Sequence, residues 1–396
     1  MKSIVAALMI LFITGTVTAQ GLEGRLDSLL QGHVNKGEIH GCLAYVFQKD
    51  KVVINKPYGY MDIENNRAME KDAIFRIASM TKILTAATAL KLYEEGKFLL
   101  DEPVKKYIPE FANLKVISPD CKSENSLITV PLEREVTIRD LFRHTAGFGY
   151  GGDDIIGKLY AKKIVFSKDL TLKKFVQAIT SVPLKYQPGS KWEYSYANDI
   201  LGYLIEVISG KPLDVYMDEA IFRPLGMVNS GFYVAPEKLN KLCNHYGYFD
   251  GKLILLDKAK NSRFAKRPAF ISGGGGGVST AEDYSKFCQM LLNYGEYKGK
   301  RIFARQTVEL LISDQIGEIK DRSFPLSGFG FGVGVIPAKY QGGTASCSWA
   351  GSPYNDVYMF DYEKQMVAIL LIQNSPFDHL GLMNKFRLIV NKETKQ

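Results

Sequence analysis

No two of the five cysteines, Cys42, Cys121, Cys243, Cys288 and Cys347, are spaced as a C-x-x-C pair. So scattered and odd a set argues against a disulfide framework and leaves at most a single bridge open. The five histidines are singletons, without H-E-x-x-H or H-x-H, so neither a metal site nor an organic cofactor is expected. Gly273–Gly277 is a run of glycines, but no G-K-[ST] follows it, which excludes a Walker phosphate loop. A G-x-S-x-G elbow is absent throughout, which argues against a Ser-His-Asp hydrolase of the α/β type. After residue 20 no apolar run is long enough to cross a bilayer. Long low-complexity tracts and internal repeats are missing too.

What is present is an ordinary globular composition, 46% hydrophobic and 23% charged, with enough apolar mass for a large core. The formal net charge is +8, with basic residues interspersed among acidic ones. That reads as a solvated surface with no nucleic-acid partner. Residues 1–19 are a separate object. Met1-Lys2 gives a positive start, Ile4 to Ile13 a short apolar run, and Val17-Thr18-Ala19 a small-x-small ending. This is the pattern of a cleavable signal peptide cut after Ala19 or Gln20, so a secreted or periplasmic protein without a membrane span is expected. A retained anchor is the alternative; no cysteine stands at the cleavage point to carry a lipid.

The remainder, 20–396, reads as one α+β unit. Leu22–Val34 is helical in pattern; Cys42–Gln48, Val52–Asn55 and Tyr58–Asp62 read as antiparallel strands, the last two separated by Lys56-Pro57. Helical patterns follow from Ile77, then at Ile138–Arg143, Leu172–Ile179, Ile200–Ser209 and Leu213–Ile221. Strands return at Asp356–Phe360 and Met366–Ile372, around a turn at Asp361–Lys364, before a closing helix at Phe377–Val390. The expected architecture is an antiparallel sheet built from both chain ends (roughly 20–90 and 270–396) and covered by helices. A mainly helical part (roughly 91–269) is inserted, and a cleft lies between the two.

Within "FRIASMTKILTAATALKLYEEG", Lys82 follows Ser79 by three residues on an otherwise apolar helix that Gly96 ends. Ser79 either caps this helix or sits in its first turn, and the spacing puts both side chains on one face. Burying an ammonium without compensation lowers its pKa, and a neutral lysine can take a proton from a neighbouring hydroxyl. The helix N-terminus also offers N–H groups to a developing oxyanion. The bland reading is a capping serine beside a lysine that reaches out to solvent.

The pair is one of six blocks that occur in order: "IFRIASMTKILTAATAL", "LDEPVKKYIPEF", "TIRDLFRHTAGF", "PGSKWEYSYANDILGYLIEVISGKPL", "IFRPLGM" and "GGGGGVSTAEDYSKFCQMLLN". Together they resemble the serine β-lactamase-like superfamily: class C β-lactamases, penicillin-binding DD-peptidases and family VIII esterases. The resemblance runs from about residue 23 to 390. It implies a β-lactamase/transpeptidase-like α/β sandwich, with Ser79 as the acylated nucleophile and Lys82 as its base.

The family's second motif supplies a tyrosine near the lysine. Tyr194 begins Y-S-x-A-x-D-x-x-G, as in the esterases, while Tyr196-Ala197-Asn198 reads as the lactamase Y-A-N. Spacing to Gly202 and Glu206 favours Tyr194 as the proton relay. With Tyr196 in that place, Asn198 would contact substrate. The K-T-G of most lactamases is absent; Trp349-Ala350-Gly351 stands there and looks like the esterase W-x-G. Without that lysine a carboxylate-bearing substrate is less favoured than an uncharged ester or amide. Gly351 is expected to let substrate approach the strand, and the N–H groups of Ser79 and Ser352 to form the oxyanion hole.

Three further features read as structural. His144 in "LFRHTAGF" belongs to a turn under the site. The Gly273–Gly277 run is a tight loop beside the cleft. Thr280 and Asp283 form a capping box ahead of a helix whose stripe includes Cys288. The function these readings imply is an exported serine hydrolase acting on small ester, amide or peptide substrates through an acyl-enzyme. The alternatives are a β-lactamase or D-alanyl-D-alanine carboxypeptidase, and a non-catalytic sensor that binds peptidoglycan fragments.

Overall fold

The computed structural model describes residues 21–323, 327–337 and 344–394; the leader pattern at residues 1–19 lies outside them. The eight strands of the main sheet are β1 (Gly41–Gln48), β2 (Lys51–Asp62), β3 (Arg67–Ala68), β4 (Gly328–Phe329), β5 (Gly334–Pro337), β6 (Thr344–Gly351), β7 (Asp356–Asp361) and β8 (Met366–Leu371). They pair antiparallel in the order β4-β5-β6-β7-β8-β1-β2-β3, so both chain ends build one sheet.

The central strands are buried on both faces, which is why they read as continuous apolar runs. Along β1, Leu43 and Tyr45 point into the large core, while Cys42, Ala44 and Val46 point into a second one. The second core is closed by helix α1 (Leu22–Asn35), through Leu26 and Leu30, and by the C-terminal helix, through Leu382, Met383, Phe386 and Val390. The first contains α2 (Thr81–Glu94), α3 (Ala197–Ser209) and α4 (Ala281–Leu292). Helix α2 is buried on nearly all sides, as a central helix must be when it is apolar all round. It ends where the reading of the sequence puts its stop: Gly96 has φ +69°, and its N–H bonds to the Tyr93 carbonyl at 2.9 Å.

Several expectations need correction. The segment Lys56-Pro57 does not break a strand: β2 runs unbroken through it, with Pro57 opposite Leu43. There β2 is an edge, because β3 pairs only with its far end, so the missing N–H is tolerated. The closing helix, α5 (Leu382–Glu393), starts five residues later than expected, because its N-cap Gly381 holds φ +62°. A hairpin, His245–Phe249 with Lys252–Asp257, stands among the central helices and takes Asn374–Ser375 as a parallel third strand. Helices at Ile155–Lys163 and Arg305–Ile312 were not foreseen. Thr280 caps α4 through the Asp283 N–H, but the Asp283 carboxylate does not return the bond; it accepts from Asn229 N–H at 2.7 Å and from Lys286. All five cysteines are buried free thiols.

Candidate active site

The turn that carries Ser79 is held by buried polar groups. Arg76, fully buried, pairs with Asp257 at 2.7 Å and donates to the Cys243 carbonyl at 2.7 Å. Its backbone N–H and carbonyl are both satisfied by the Gln373 side chain, at 3.1 and 2.9 Å. Gln373 is in turn held by Asp356, whose carboxyl burial pushes well up. Ala78 then adopts φ +39°, a conformation that costs an L-residue about 1 kcal/mol, and Ala78–Met80 forms a single 3-10 turn. Ser79 is therefore not the cap of α2; it lies in the turn just before it.

Lys82, at the start of α2, is fully buried. Its Nζ donates to Ser79 Oγ at 3.2 Å and to the Gly274 carbonyl at 2.5 Å, and lies 4.7 Å from the Tyr194 ring centre and 5.7 Å from that of Tyr150. Gly274 belongs to the glycine run, and Asp199 of α3 sets its position. Asp199 accepts from the Gly274 N–H at 3.1 Å and the Ser272 hydroxyl at 2.6 Å. Burial raises the Asp199 carboxyl; the Ser272 bond and the Lys82 charge oppose that rise. A Cβ on Gly274 would come within 2.5 Å of Asp199 Oδ2, so the approach requires glycine. Thr81 and Thr85 tie the same run to α2, through Gly277 N–H at 3.0 Å and Gly273 O at 2.8 Å.

Of the two tyrosines in the second motif, the structure brings Tyr194 beside Lys82. Its hydroxyl accepts from Trp349 Nε1 at 3.2 Å. Tyr196 sits instead in an aromatic cluster, 4.3 Å from Tyr150 and 5.3 Å from Phe175 between ring centres. Asn198 is fully buried and brackets two helices, donating from Nδ2 to the Lys82 carbonyl at 3.3 Å. His144, also buried, bonds through Nδ1 with the Ser195 hydroxyl at 3.0 Å, and its ring centre lies 5.1 Å from that of Tyr194. Burial, aided by the Lys82 charge, holds His144 well below the usual histidine range. Tyr150 was not singled out in the sequence; it lies in a loop with no periodic signal, although it flanks Lys82. Asp199 could have been found, as the aspartate of the Y-S-x-A-x-D run.

Two cavities meet at Ser79. One, of about 450 Å³, passes Tyr194, Trp349, Ala350 and Ser352 and ends at Phe377 and Arg387. Arg387, on α5, is the one charged residue lining it among those described, and burial lowers its guanidinium below the usual range. The other, of about 340 Å³, has aromatic walls that include Tyr150, Phe166, Tyr196 and Phe270. Ser79, Tyr194 and Ser352 line both. Gly351 lines neither. A Cβ there would lie 2.9 Å from the Ile77 carbonyl, so its smallness admits the chain leading to Ser79 rather than an incoming substrate. Among the described residues no three His, Cys, Asp or Glu side chains gather into a metal-holding group.

A serine and a buried lysine one turn apart, facing a tyrosine across a two-lobed cleft, define a serine-hydrolase type of site on an α+β sandwich. The chain belongs to the Beta-lactamase family, whose profile matches residues 26–390, and it is a hydrolase of that family. Protein Rv1367c of Mycobacterium tuberculosis is 32% identical over 356 residues, covering 86% of this chain and 87% of that one. Esterase EstB of Burkholderia gladioli is 27% identical over 388 residues, covering 92% and 94%. The structure of simvastatin synthase, LovD, from Aspergillus terreus superposes with a TM-score of 0.79 at 21% identity, covering 96% and 100%, a likeness of fold.

Proposed function

We propose that the protein cleaves carboxylic esters through an acyl-enzyme on Ser79. The observation that carries this reading is the 3.2 Å contact of Lys82 Nζ with Ser79 Oγ at the junction of two cavities. Lys82 takes the hydroxyl proton as Oγ bonds to the ester carbonyl carbon. The N–H groups of Ser79 and Ser352 hold the oxyanion. Tyr194 passes a proton from Lys82 to the departing alkoxide, the C–O bond breaks, and the alcohol leaves. Water, giving a proton to the same Tyr194–Lys82 pair, then releases the acid and restores Ser79. One lobe takes the acyl part and the other the leaving group, each with its own lining. The esterase among the relatives and the Trp349-Ala350-Gly351 stretch in place of K-T-G both support an ester substrate. The leader pattern at residues 1–19 supports export.

Hydrolysis of p-nitrophenyl butyrate tests the reading, with release by the wild type and none by Ser79→Ala expected. Silence of the wild type on esters, together with acylation by labelled penicillin or cleavage of a D-Ala-D-Ala peptide, would transfer the same chemistry to the lactamase or peptidase reading. Binding of muropeptides without turnover of any of these substrates would favour the sensor.

A further inference from the structure

The loop between helices Ile155–Lys163 and Leu172–Thr180 turns two apolar side chains outward. Val165 is 66% exposed and Phe166 61%, while Ile164 and Leu170 at the loop's ends are buried. Phe166 also lines the aromatic lobe that reaches Ser79, and its ring meets that of Phe270 at 5.9 Å. This apolar tip therefore forms the lip of the cleft.

The two segments that meet there, through Phe166 and Phe270, are both basic. Residues 158–174 carry six lysines, all exposed, against one acid, Asp169. Residues 258–270, which run up to Phe270, carry five Lys or Arg and no Asp or Glu. Lys162 and Arg267 are ion-paired, with Glu124 and Asp214. The side chains of Lys163, Lys168 and Lys266 are exposed and make no ion pair or hydrogen bond among the described residues.

A soluble polyanion would answer the lysines and leave the valine and phenylalanine in water. A bilayer with anionic headgroups answers both, since an apolar tip enters the headgroup–acyl boundary while lysines face the lipid phosphates. We propose that this rim docks on an anionic lipid surface, so that the aromatic lobe opens onto the membrane. The docking goes beyond the proposed ester cleavage and is read without turnover.

The test is co-sedimentation with large unilamellar vesicles of phosphatidylcholine alone and of phosphatidylcholine doped with phosphatidylglycerol, every protein carrying the same N-terminus. The wild type is expected to bind the doped vesicles at least ~10-fold tighter, and less tightly in high salt. Both Val165→Ser/Phe166→Ser and Lys163→Glu/Lys168→Glu are expected to lose about tenfold in affinity. A Phe166→Trp variant reads insertion directly, through a blue shift of emission on the doped vesicles only. No binding, equal binding to both vesicle types, or full binding by the apolar double variant would overturn the proposal. The last result would leave attraction by charge alone, with no entry of the apolar tip into the bilayer. If the double variant does not fold, the Phe166→Trp emission decides alone: no shift contradicts docking.

Discussion

Lys82 Nζ stands 3.2 Å from Ser79 Oγ, a base and a hydroxyl brought together by two residue types three positions apart. The helix fixes the spacing, but it does not by itself hold the lysine in place. The Gly274 carbonyl does that, and it is set in turn by Asp199.

Replacing Tyr194 by phenylalanine is expected to lower kcat for p-nitrophenyl butyrate about 100-fold, the usual weight of a proton-transfer group. Tyr196→Phe removes a hydroxyl from an aromatic cluster and should cost only a few-fold. Steady-state kinetics on both variants separates the two, and the reverse order would give the relay to Tyr196.

Asp199 acts through Gly274 and Lys82, which makes it a positioning residue. Asp199→Asn keeps its shape and weakens its hold on the Ser272 hydroxyl and the Gly274 N–H. The expected result is a kcat about tenfold lower with KM little changed, and an altered pH profile of kcat. A change in melting temperature with unaltered kcat would reduce Asp199 to a structural role.

At Gly351 a methyl group would meet the Ile77 carbonyl at 2.9 Å. Gly351→Ala should destabilise the fold by about 1–3 kcal/mol, the usual range for overpacking. Because Ile77 leads into the Ser79 turn, acylation should slow as well. Urea denaturation and stopped-flow acylation measure the two effects.

His40 is buried against Asn374, with Nδ1 2.9 Å from Oδ1, and burial lowers its pKa from 6.5 to about 4. A group depressed on folding adds stability above its unfolded pKa and withdraws it as pH falls toward the folded one. Between pH 6.5 and about 4 the wild type should therefore lose up to about 1.4 kcal/mol per pH unit through this ring. Asp199 and Asp356, raised by burial, work in the opposite direction and remain in both proteins. Denaturant midpoints across that range should fall less steeply for His40→Asn.

The parts of the site that depend on local spacing could be read from the chain alone. Ser79 and Lys82 share a face because they are three apart, and an apolar helix around a lysine marks a buried amine. The sheet was legible where its strands are apolar, as in β1, β7 and β8. What was hidden depends on long-range packing. Gly274 reaches Lys82 from 192 positions away, and no local pattern reports that approach. The strand β6 contains Thr344, Ser346, Ser348 and Gly351, too small and polar a set to announce a strand by pattern; only the resemblance of Trp349-Ala350-Gly351 to W-x-G pointed to one. Asp283 follows the capping-box spacing, yet its carboxylate serves Asn229, a competitor invisible in sequence.

The central claim is that Lys82 makes the Ser79 hydroxyl nucleophilic. Intact and peptide mass spectrometry after treatment with a fluorophosphonate probe tests it most directly. The account predicts one adduct, on Ser79, formed rapidly by the wild type and slowed at least ~100-fold in folded Lys82→Ala. Folded wild-type protein without an adduct on Ser79, or equal labelling of the lysine variant, would contradict it.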